Sequence, residues 1–225
     1  KEDGHVLPYR LYVPSHIVYG KKYPLVVFMH GYGERGTDDR KQFFRFRTFP
    51  FWKKYPCFVL APQCPENDSN GEATWVKTNF GVPSSQMKKQ PAWPLALAMD
   101  LLDMVISRSA IDRQRIYVTG LSMGAFATWE LLERKPGLFA AAMPLSGGGD
   151  TSLAFRFSHV PLWAFHGLHD RTVLPERSVD MVNALKRAGA KPRLTLYPDL
   201  GHDTWTRTYS NPEVWDWLFK QHKAK

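Results

Sequence analysis

The segment Gly120-Leu121-Ser122-Met123-Gly124 places a serine between two glycines, directly after an apolar run. This G-x-S-x-G pattern is typical of a tight turn between a strand and a helix, in which the serine hydroxyl is exposed as a nucleophile. The glycines are needed because a Cβ at either position would clash with the neighbouring strand and helix. The pattern predicts Ser122 as a nucleophile, and Met123, at the start of the helix, as a backbone donor to a developing oxyanion. The alternative is a serine in an ordinary turn.

A histidine that could activate this serine lies near the end of the chain. Hydrolases built on this turn carry an acid and then a histidine downstream of the serine. His202 lies in a turn just after the last predicted strand, whereas His159 precedes a strand, His166 ends one and His222 lies on the terminal helix. We therefore predict His202 as the general base, the alternative being a surface histidine.

The acid that would orient this base has two candidates. Asp170 follows the strand that precedes the histidine, and Asp150 follows the strand before that one. We favour Asp170 because it has the expected position in the chain, and Asp150 remains the alternative. Asp199 and Asp203 are too close to His202 in sequence to reach its Nδ1 atom.

A second oxyanion donor is predicted in the loop His30-Gly31-Tyr32-Gly33-Glu34-Arg35-Gly36. The same residues satisfy G-x-G-x-x-G, the fingerprint of a dinucleotide site. Three observations argue against a dinucleotide: the next strand ends without an acidic residue, Glu34 would repel a pyrophosphate, and residues 37–51 show no clear helix. We favour an oxyanion loop in which the N–H of Tyr32 points at the substrate carbonyl.

Alternating strands and helices are expected to position these residues. Short apolar runs predict strands at 9–13, 25–29, 58–60, 116–119, 140–145, 162–165 and 193–197. Helical periodicity and end signals predict helices at 93–107, 125–133, 175–188 and 213–222. Alternation of this kind predicts an α/β fold with a doubly wound, mostly parallel sheet, in one catalytic domain over residues 1–225. Ligands of such sheets lie beyond the carboxyl ends of the strands, where all the candidate residues fall.

Composition excludes several classes of function. The net charge of +9 comes from basic residues that are scattered singly or in pairs, so we expect no nucleic-acid partner. No apolar run approaches the roughly 18 residues of a membrane span. Cys57 and Cys64 flank an apolar run, which would hold them about 20 Å apart, too far for a disulfide. His166-x-x-His169-Asp170 lacks a second ligand cluster, so we expect no metal site.

Most of the chain resembles compact bacterial carboxylesterases of the α/β-hydrolase superfamily, the phospholipase/carboxylesterase or prolyl-oligopeptidase-like group, neighbours of feruloyl esterases and polyhydroxybutyrate depolymerases. The matching segments are LPYRLYVP, YPLVVFMHGYGERG, PCFVLAPQCP, IDRQRIYVTGLSMG, FAAAMPLSGGGD, PLWAFHGLHDRTV and GHDTWTRTYSNPEVWDWLF. The resemblance implies a Ser122, Asp170, His202 triad with oxyanion donors Tyr32 and Met123. This chain has Ala125 where such enzymes commonly have a second glycine.

We therefore expect a cofactor-free serine carboxylesterase that acts on short-chain or aromatic, feruloyl-type esters through an acyl-enzyme. Trp75 and Trp205 are candidate walls for an aromatic acyl group, the alternative being that both are ordinary packing residues. The short connection before residue 162 leaves no room for a large lid, which disfavours a true lipase. A peptidase of prolyl-oligopeptidase type and a polyester depolymerase remain alternatives. The chain begins at Lys1, so we expect that a signal peptide or tag was removed. Export to the periplasm or medium is expected, and the cytoplasm is the alternative.

Overall fold

The protein is built around a seven-stranded sheet. The structure, a computed structural model, describes residues 4–44, 46–49, 51–68, 71–82, 84–108 and 110–223. The strands of the sheet are β1 (Tyr9–Tyr12), β2 (Tyr23–Met29), β3 (Phe58–Pro62), β6 (Ile111–Leu121), β7 (Ala141–Leu145), β8 (Trp163–Gly167) and β9 (Arg193–Tyr197). Their spatial order is β1-β3-β2-β6-β7-β8-β9, in which only β1 is antiparallel to its neighbour. The predicted doubly wound, mostly parallel α/β sheet is confirmed.

Two apolar cores cover the two faces of the sheet. Every residue of β2 is buried, and its side chains alternate between the cores: Leu25, Val27 and Met29 enter one, Val26 and Phe28 the other. A strand that is covered on both faces reads as a continuous apolar run, which is why the sequence pattern located this strand.

Seven helices flank or cap the sheet in the described part of the chain. They are α1 (Lys41–Phe44), α2 (Phe51–Lys54), α3 (Trp93–Ile106), α4 (Met123–Arg134), α5 (Glu176–Arg187), α6 (Trp205–Ser210) and α7 (Pro212–Phe219). The four predicted helices are α3, α4, α5 and α7, with ends that differ by at most three residues. The short helices α1, α2 and α6 were not predicted, because each is four to six residues long and too short to show a helical period.

The largest difference from the predicted strands is at β6, which begins at Ile111 rather than at residue 116. Its first residue pairs with Tyr23 across an irregularity in the ladder, and its polar residues 112–115 concealed the extension. A small hairpin of β4 (Asn67–Asp68) and β5 (Gly71–Glu72) lies inside the long irregular segment that precedes α3. Cys57 and Cys64 are both buried free thiols, as the strand between them required.

The carboxyl ends of the central strands meet at one edge of the sheet. Ser122 follows β6, Tyr32 follows β2, Asp170 follows β8 and His202 follows β9. Within the described residues, no helix has the length and apolar character that crossing a membrane requires.

Candidate active site

Ser122 occupies a strained turn between β6 and α4. Its backbone has φ 53° and ψ −121°, and its N–H donates a 2.9 Å hydrogen bond to the carbonyl of Leu145 on β7. A Cβ at Gly124 would lie 2.0 Å from the carbonyl oxygen of Met29, so the helix can approach the sheet this closely only with glycine there. A non-glycine residue with positive φ is costly, and its persistence at a site of this shape points to function.

The three predicted triad side chains form one hydrogen-bonded line. The Oγ atom of Ser122 lies 2.8 Å from Nε2 of His202, and Nδ1 of His202 lies 2.7 Å from Oδ2 of Asp170. The Asp170 side chain is fully buried, whereas the His202 ring is 22% exposed at the cleft. The base therefore reaches the nucleophile on one side and a buried carboxylate on the other.

Asp170 is held as a carboxylate by donors on both of its oxygens. Its Oδ1 accepts the backbone N–H groups of Thr172 and Val173, each at 2.9 Å, and its Oδ2 also contacts Nε2 of His166 at 3.1 Å. Burial alone would raise the pKa of Asp170, but the hydrogen bonds from His166, His202 and Val173 outweigh it and hold the pKa well below its ordinary value. The orienting acid is thus ionised and cannot rotate freely.

A second serine with a strained backbone, Ser146, fixes the loop that carries His202. Ser146, with φ 56°, is buried, and its hydroxyl lies 3.1 Å from the carbonyl of His202 and 2.8 Å from the hydroxyl of Thr204. These bonds connect the end of β7 to the histidine loop. The position of the base therefore depends on two neighbouring strands.

The oxyanion turn lies on the other side of Ser122. Residues Tyr32–Glu34 form a single 3₁₀ turn after β2. His30, which is fully buried, lies with Nδ1 2.6 Å from the Gly31 carbonyl, while its Nε2 accepts the N–H of Cys64 at 2.9 Å. In a trans peptide the N–H points away from the preceding C=O, so turning the Gly31 carbonyl toward His30 turns the Tyr32 N–H the opposite way.

Arg35 connects this turn to the β4–β5 hairpin. Its Nε donates to the carbonyl of Tyr32 at 3.2 Å, and its Nη1 donates to the carbonyls of Glu66 and Ala73 at 3.2 and 2.9 Å. Its Nη2 pairs with the Glu72 carboxylate at 3.0 Å, and the guanidinium lies 3.5 Å above the Tyr32 ring. One buried side chain therefore fixes both the backbone and the ring of Tyr32.

A cleft of about 360 Å³ opens above Ser122. Its lining is mostly apolar and includes Leu121, Met123, Val173, Phe80 and Trp205. The Phe80 ring packs edge-on against Phe126 of α4 at 4.9 Å between ring centres, and the Trp205 ring lies 5.3 Å from that of His202. Among the described residues that line this cleft, none is lysine or arginine.

Two of the sequence predictions concern residues that have other roles. Trp75 was predicted as a wall of the pocket, but the structure buries it completely in the core, where its Nε1 donates to the carbonyl of His30 at 3.1 Å. Its apolar neighbours and buried donor explain this placement, and Phe80 lines the cleft instead. Asp150, the alternative acid, accepts the N–H groups of Met87 and Ser152.

The family model for phospholipases and carboxylesterases matches residues 18–211. The chain belongs to the phospholipase/carboxylesterase family. Within the described part of the chain, no group of three or more His, Cys, Asp or Glu residues could hold a metal ion.

Individual relatives agree with this family. The crystal structure of a thermostable esterase is 39% identical, covers 96% of this chain and 59% of its own, and superposes with a TM-score of 0.85. A provisionally named carboxymethylenebutenolidase of Salmonella typhimurium is 32% identical over 130 residues, which is 53% of this chain and 47% of that protein. A provisionally named SOBER1-like carboxylesterase of Arabidopsis thaliana is 23% identical over 84% of this chain and 76% of its own. This chain thus spans about half the length of the Salmonella typhimurium relative.

Sequence reasoning missed four residues that position the site of this family member. They are His30, Arg35, Ser146 and His166. Each acts through a contact to a residue distant in sequence or through a backbone group, which no spacing rule reveals. His166 left one signal, its position four residues before Asp170 at the end of a strand.

Proposed function

We propose that this protein is a serine carboxylesterase with Ser122 as nucleophile, His202 as general base and Asp170 as the acid that orients the base. The observation that carries the proposal is the unbroken hydrogen-bonded line from Ser122 Oγ through His202 to the buried Asp170, at the floor of an open cleft. Nucleophile and base within hydrogen-bond reach, with the base oriented by a third group, are the geometric requirement of acyl transfer.

Acylation begins when His202 takes the proton of Ser122 as its Oγ attacks the ester carbonyl. The carbonyl oxygen becomes an oxyanion, for which we assign the N–H groups of Tyr32 and Met123 as donors. Met123 is the first residue of α4, so its N–H has no acceptor within the helix. The protonated His202 then donates its proton to the leaving alcohol, and the acyl group stays on Ser122.

Deacylation repeats these steps with water as the nucleophile. His202 takes a proton from water, the hydroxide attacks the acyl carbonyl, and Ser122 leaves with the proton returned by His202. The ionised Asp170 stabilises the imidazolium that forms in each half of the cycle. The cycle requires no cofactor.

The cleft favours an uncharged acyl group of modest size. Its apolar lining with Phe80 and Trp205, and the absence of lysine and arginine from its described walls, suit a short aliphatic or a flat aromatic acyl group. We therefore propose short-chain and feruloyl-type esters as substrates. Polymer-linked esters of the same acyl groups fit an open cleft equally well.

The direct test is hydrolysis of p-nitrophenyl acetate, butyrate and decanoate and of methyl ferulate. We expect activity on the short or aromatic esters and weak activity on decanoate. Ser122→Ala should lose at least about a thousandfold in kcat/KM. Ser158→Ala, which removes a half-buried hydroxyl that donates to the Phe155 carbonyl, is the matched control and should keep full activity.

Two outcomes would reject the proposal. One is a folded wild-type protein that cleaves none of these esters, and the other is a Ser122→Ala variant that keeps its activity. Acyl-alanine p-nitroanilides included in the same assay identify a peptidase, and release of acid from a polyhydroxybutyrate film identifies a depolymerase.

A further inference from the structure

The ring of His166 lies at the end of β8, fully buried, with a polar partner on each nitrogen. Its Nδ1 lies 2.7 Å from the hydroxyl of Ser178 on α5. Its Nε2 lies 3.1 Å from Oδ2 of Asp170 and 3.0 Å from the carbonyl oxygen of Val173. The mechanism proposed above makes no use of this histidine, although it shares a carboxylate oxygen with His202.

The protons of this ring follow from what its partners can donate. Carboxylate and carbonyl oxygens only accept hydrogen bonds, so Nε2 must carry the hydrogen toward Asp170 and Val173. The single hydroxyl proton of Ser178 is used on the carbonyl of Gly147 at 2.7 Å. Since Ser178 then offers only its oxygen to the ring, Nδ1 must carry a hydrogen as well. A histidine with hydrogen on both nitrogens is an imidazolium cation.

A neutral ring would leave a buried group without a partner. If Nδ1 had no hydrogen, Ser178 would have to donate to it, and the Gly147 carbonyl would lose that donor inside the protein. A buried acceptor that is left unpaired is destabilising, because it has lost its hydrogen bonds to water without gaining another donor. A buried cation is normally expensive, but here the ionised Asp170 lies in direct contact and supplies the opposite charge.

The other charged groups near this pair belong to neighbouring elements. His202, on the loop after β9, is in contact with the same Asp170 oxygen. Arg177 precedes Ser178 on α5, and its guanidinium donates to the hydroxyl of Ser85 at 2.9 Å, with Glu133 of α4 and Asp180 of α5 as the acidic groups near it. Asp170, whose Oδ2 lies 3.1 Å from Nε2, is the carboxylate in direct contact with His166 and therefore its counter-ion.

We infer that His166 is a resident imidazolium that shares the Asp170 carboxylate with His202 and thereby acts as a positioning residue for the catalytic base. This inference rests on the proposed function only for its kinetic consequence. The fixed positive charge opposes protonation of His202, which keeps the base free at lower pH. It also holds Asp170 in place, so that one carboxylate oxygen serves two histidines.

The protonation state is tested without an activity assay, by ¹⁵N-edited NMR of the histidine rings. We expect both ring nitrogens of His166 to show the shifts of protonated nitrogens at pH 7, each coupled to a slowly exchanging hydrogen. The resonances are assigned by their loss in His166→Gln. A spectrum in which one His166 nitrogen has the shift of an unprotonated nitrogen overturns the inference.

The kinetic consequence is tested by the pH profile of kcat/KM. Removing a charge two contacts from His202 should move the acid limb of the profile upward by about one pH unit in His166→Gln. His159→Gln, at an exposed histidine bonded to the Pro136 carbonyl, is the matched control and should leave the limb in place. An unmoved limb in a folded, active His166→Gln variant would contradict the inference.

A second variant keeps the inference testable if His166→Gln does not fold. Ser178→Ala keeps the histidine but removes the acceptor of Nδ1 and should move the acid limb in the same direction by a smaller amount. An unmoved limb in both variants contradicts the role assigned to His166. A wild-type protein that hydrolyses no ester would instead reject the proposed function, and the NMR result would stand by itself.

Discussion

Two buried histidines support the two halves of the site, and they differ in their hydrogen-bond partners. His30 supports the oxyanion turn after β2, where one ring nitrogen contacts a carbonyl and the other accepts an N–H. His166 supports the acid–base half after β8, where one ring nitrogen contacts a hydroxyl and the other contacts a carboxylate and a carbonyl. Both rings are fully buried. The same residue type is therefore neutral in one half and, in our inference, a cation in the other, because of the partners that each fold element supplies.

The two halves also differ in how they are held. The acid–base half is fixed by a network around the fully buried Asp170 side chain. The oxyanion half depends on Arg35, whose partner Glu72 has a 52% exposed side chain. Because water screens and replaces exposed interactions, we expect substitutions in the acid–base half to cost more activity than those in the oxyanion half.

The largest expected effect is on the acid–base side. Asp170→Asn should lower kcat by about 10³- to 10⁴-fold, since a neutral amide neither fixes the reactive tautomer of His202 nor stabilises its imidazolium. Asp199→Asn, which breaks an exposed pair with Arg207, is the control and should change kcat less than twofold. A less than tenfold decrease in kcat for folded Asp170→Asn would contradict the expectation that substitutions in the acid–base half cost more activity than those in the oxyanion half.

The second effect is on stability and belongs to His30. Burial is the main cause that lowers its pKa from 6.5 to about 4, so the folded state excludes a proton that the unfolded chain binds. Stability contributed in this way is present above pH 6.5 and is lost as the pH falls toward 4, by at most about 3 kcal/mol.

The measurement is urea unfolding at several pH values. His30→Gln, whose side-chain oxygen can still accept the Cys64 N–H, should be less stable than wild type at pH 7 and lose less stability between pH 6.5 and 4. Parallel stability curves for the two proteins would show that His30 is not a neutral buried group.

The third effect is on the oxyanion side. Arg35→Ala should lower kcat about tenfold to a hundredfold with little change in KM, because a loosened turn weakens only the transition state. Arg35→Lys should fall between this variant and wild type, since an ammonium cannot make all four hydrogen bonds of the guanidinium. Glu72→Gln should lie near wild type. A raised KM with an unchanged kcat for Arg35→Ala would instead assign Arg35 to substrate binding.

The smallest effect separates the two tryptophans. Trp205→Phe, in the cleft beside His202, should change the ratio of kcat/KM for methyl ferulate and p-nitrophenyl butyrate several-fold. Trp75→Phe, which removes the hydrogen bond to the His30 carbonyl, should lower the free energy of unfolding by about 1 kcal/mol and leave that ratio unchanged. An altered ratio of kcat/KM in Trp75→Phe would indicate that Trp75 is a wall of the substrate pocket after all.

The sequence predicts most of the fold and the identity of the three triad residues because both follow from local patterns. Buried parallel strands such as β2 are continuous apolar runs, and Ser122 lies in a motif whose glycines are required by the approach of Met29. Contacts between segments distant in the chain were not predictable. Nothing in the sequence indicates that Trp75 packs against His30, or that the Ser178 hydroxyl connects Gly147 to His166. Those contacts determine where Trp75 lies and, in our inference, the charge of His166, and only the folded structure reveals them.

Covalent labelling tests the central claim, that Ser122 is the nucleophile activated by His202, most directly. A fluorophosphonate should add once per chain, at the peptide that contains Ser122, and the rate should fall by orders of magnitude in His202→Gln. No adduct should form on Ser122→Ala. An adduct on another residue, or labelling that persists in Ser122→Ala, would contradict the account.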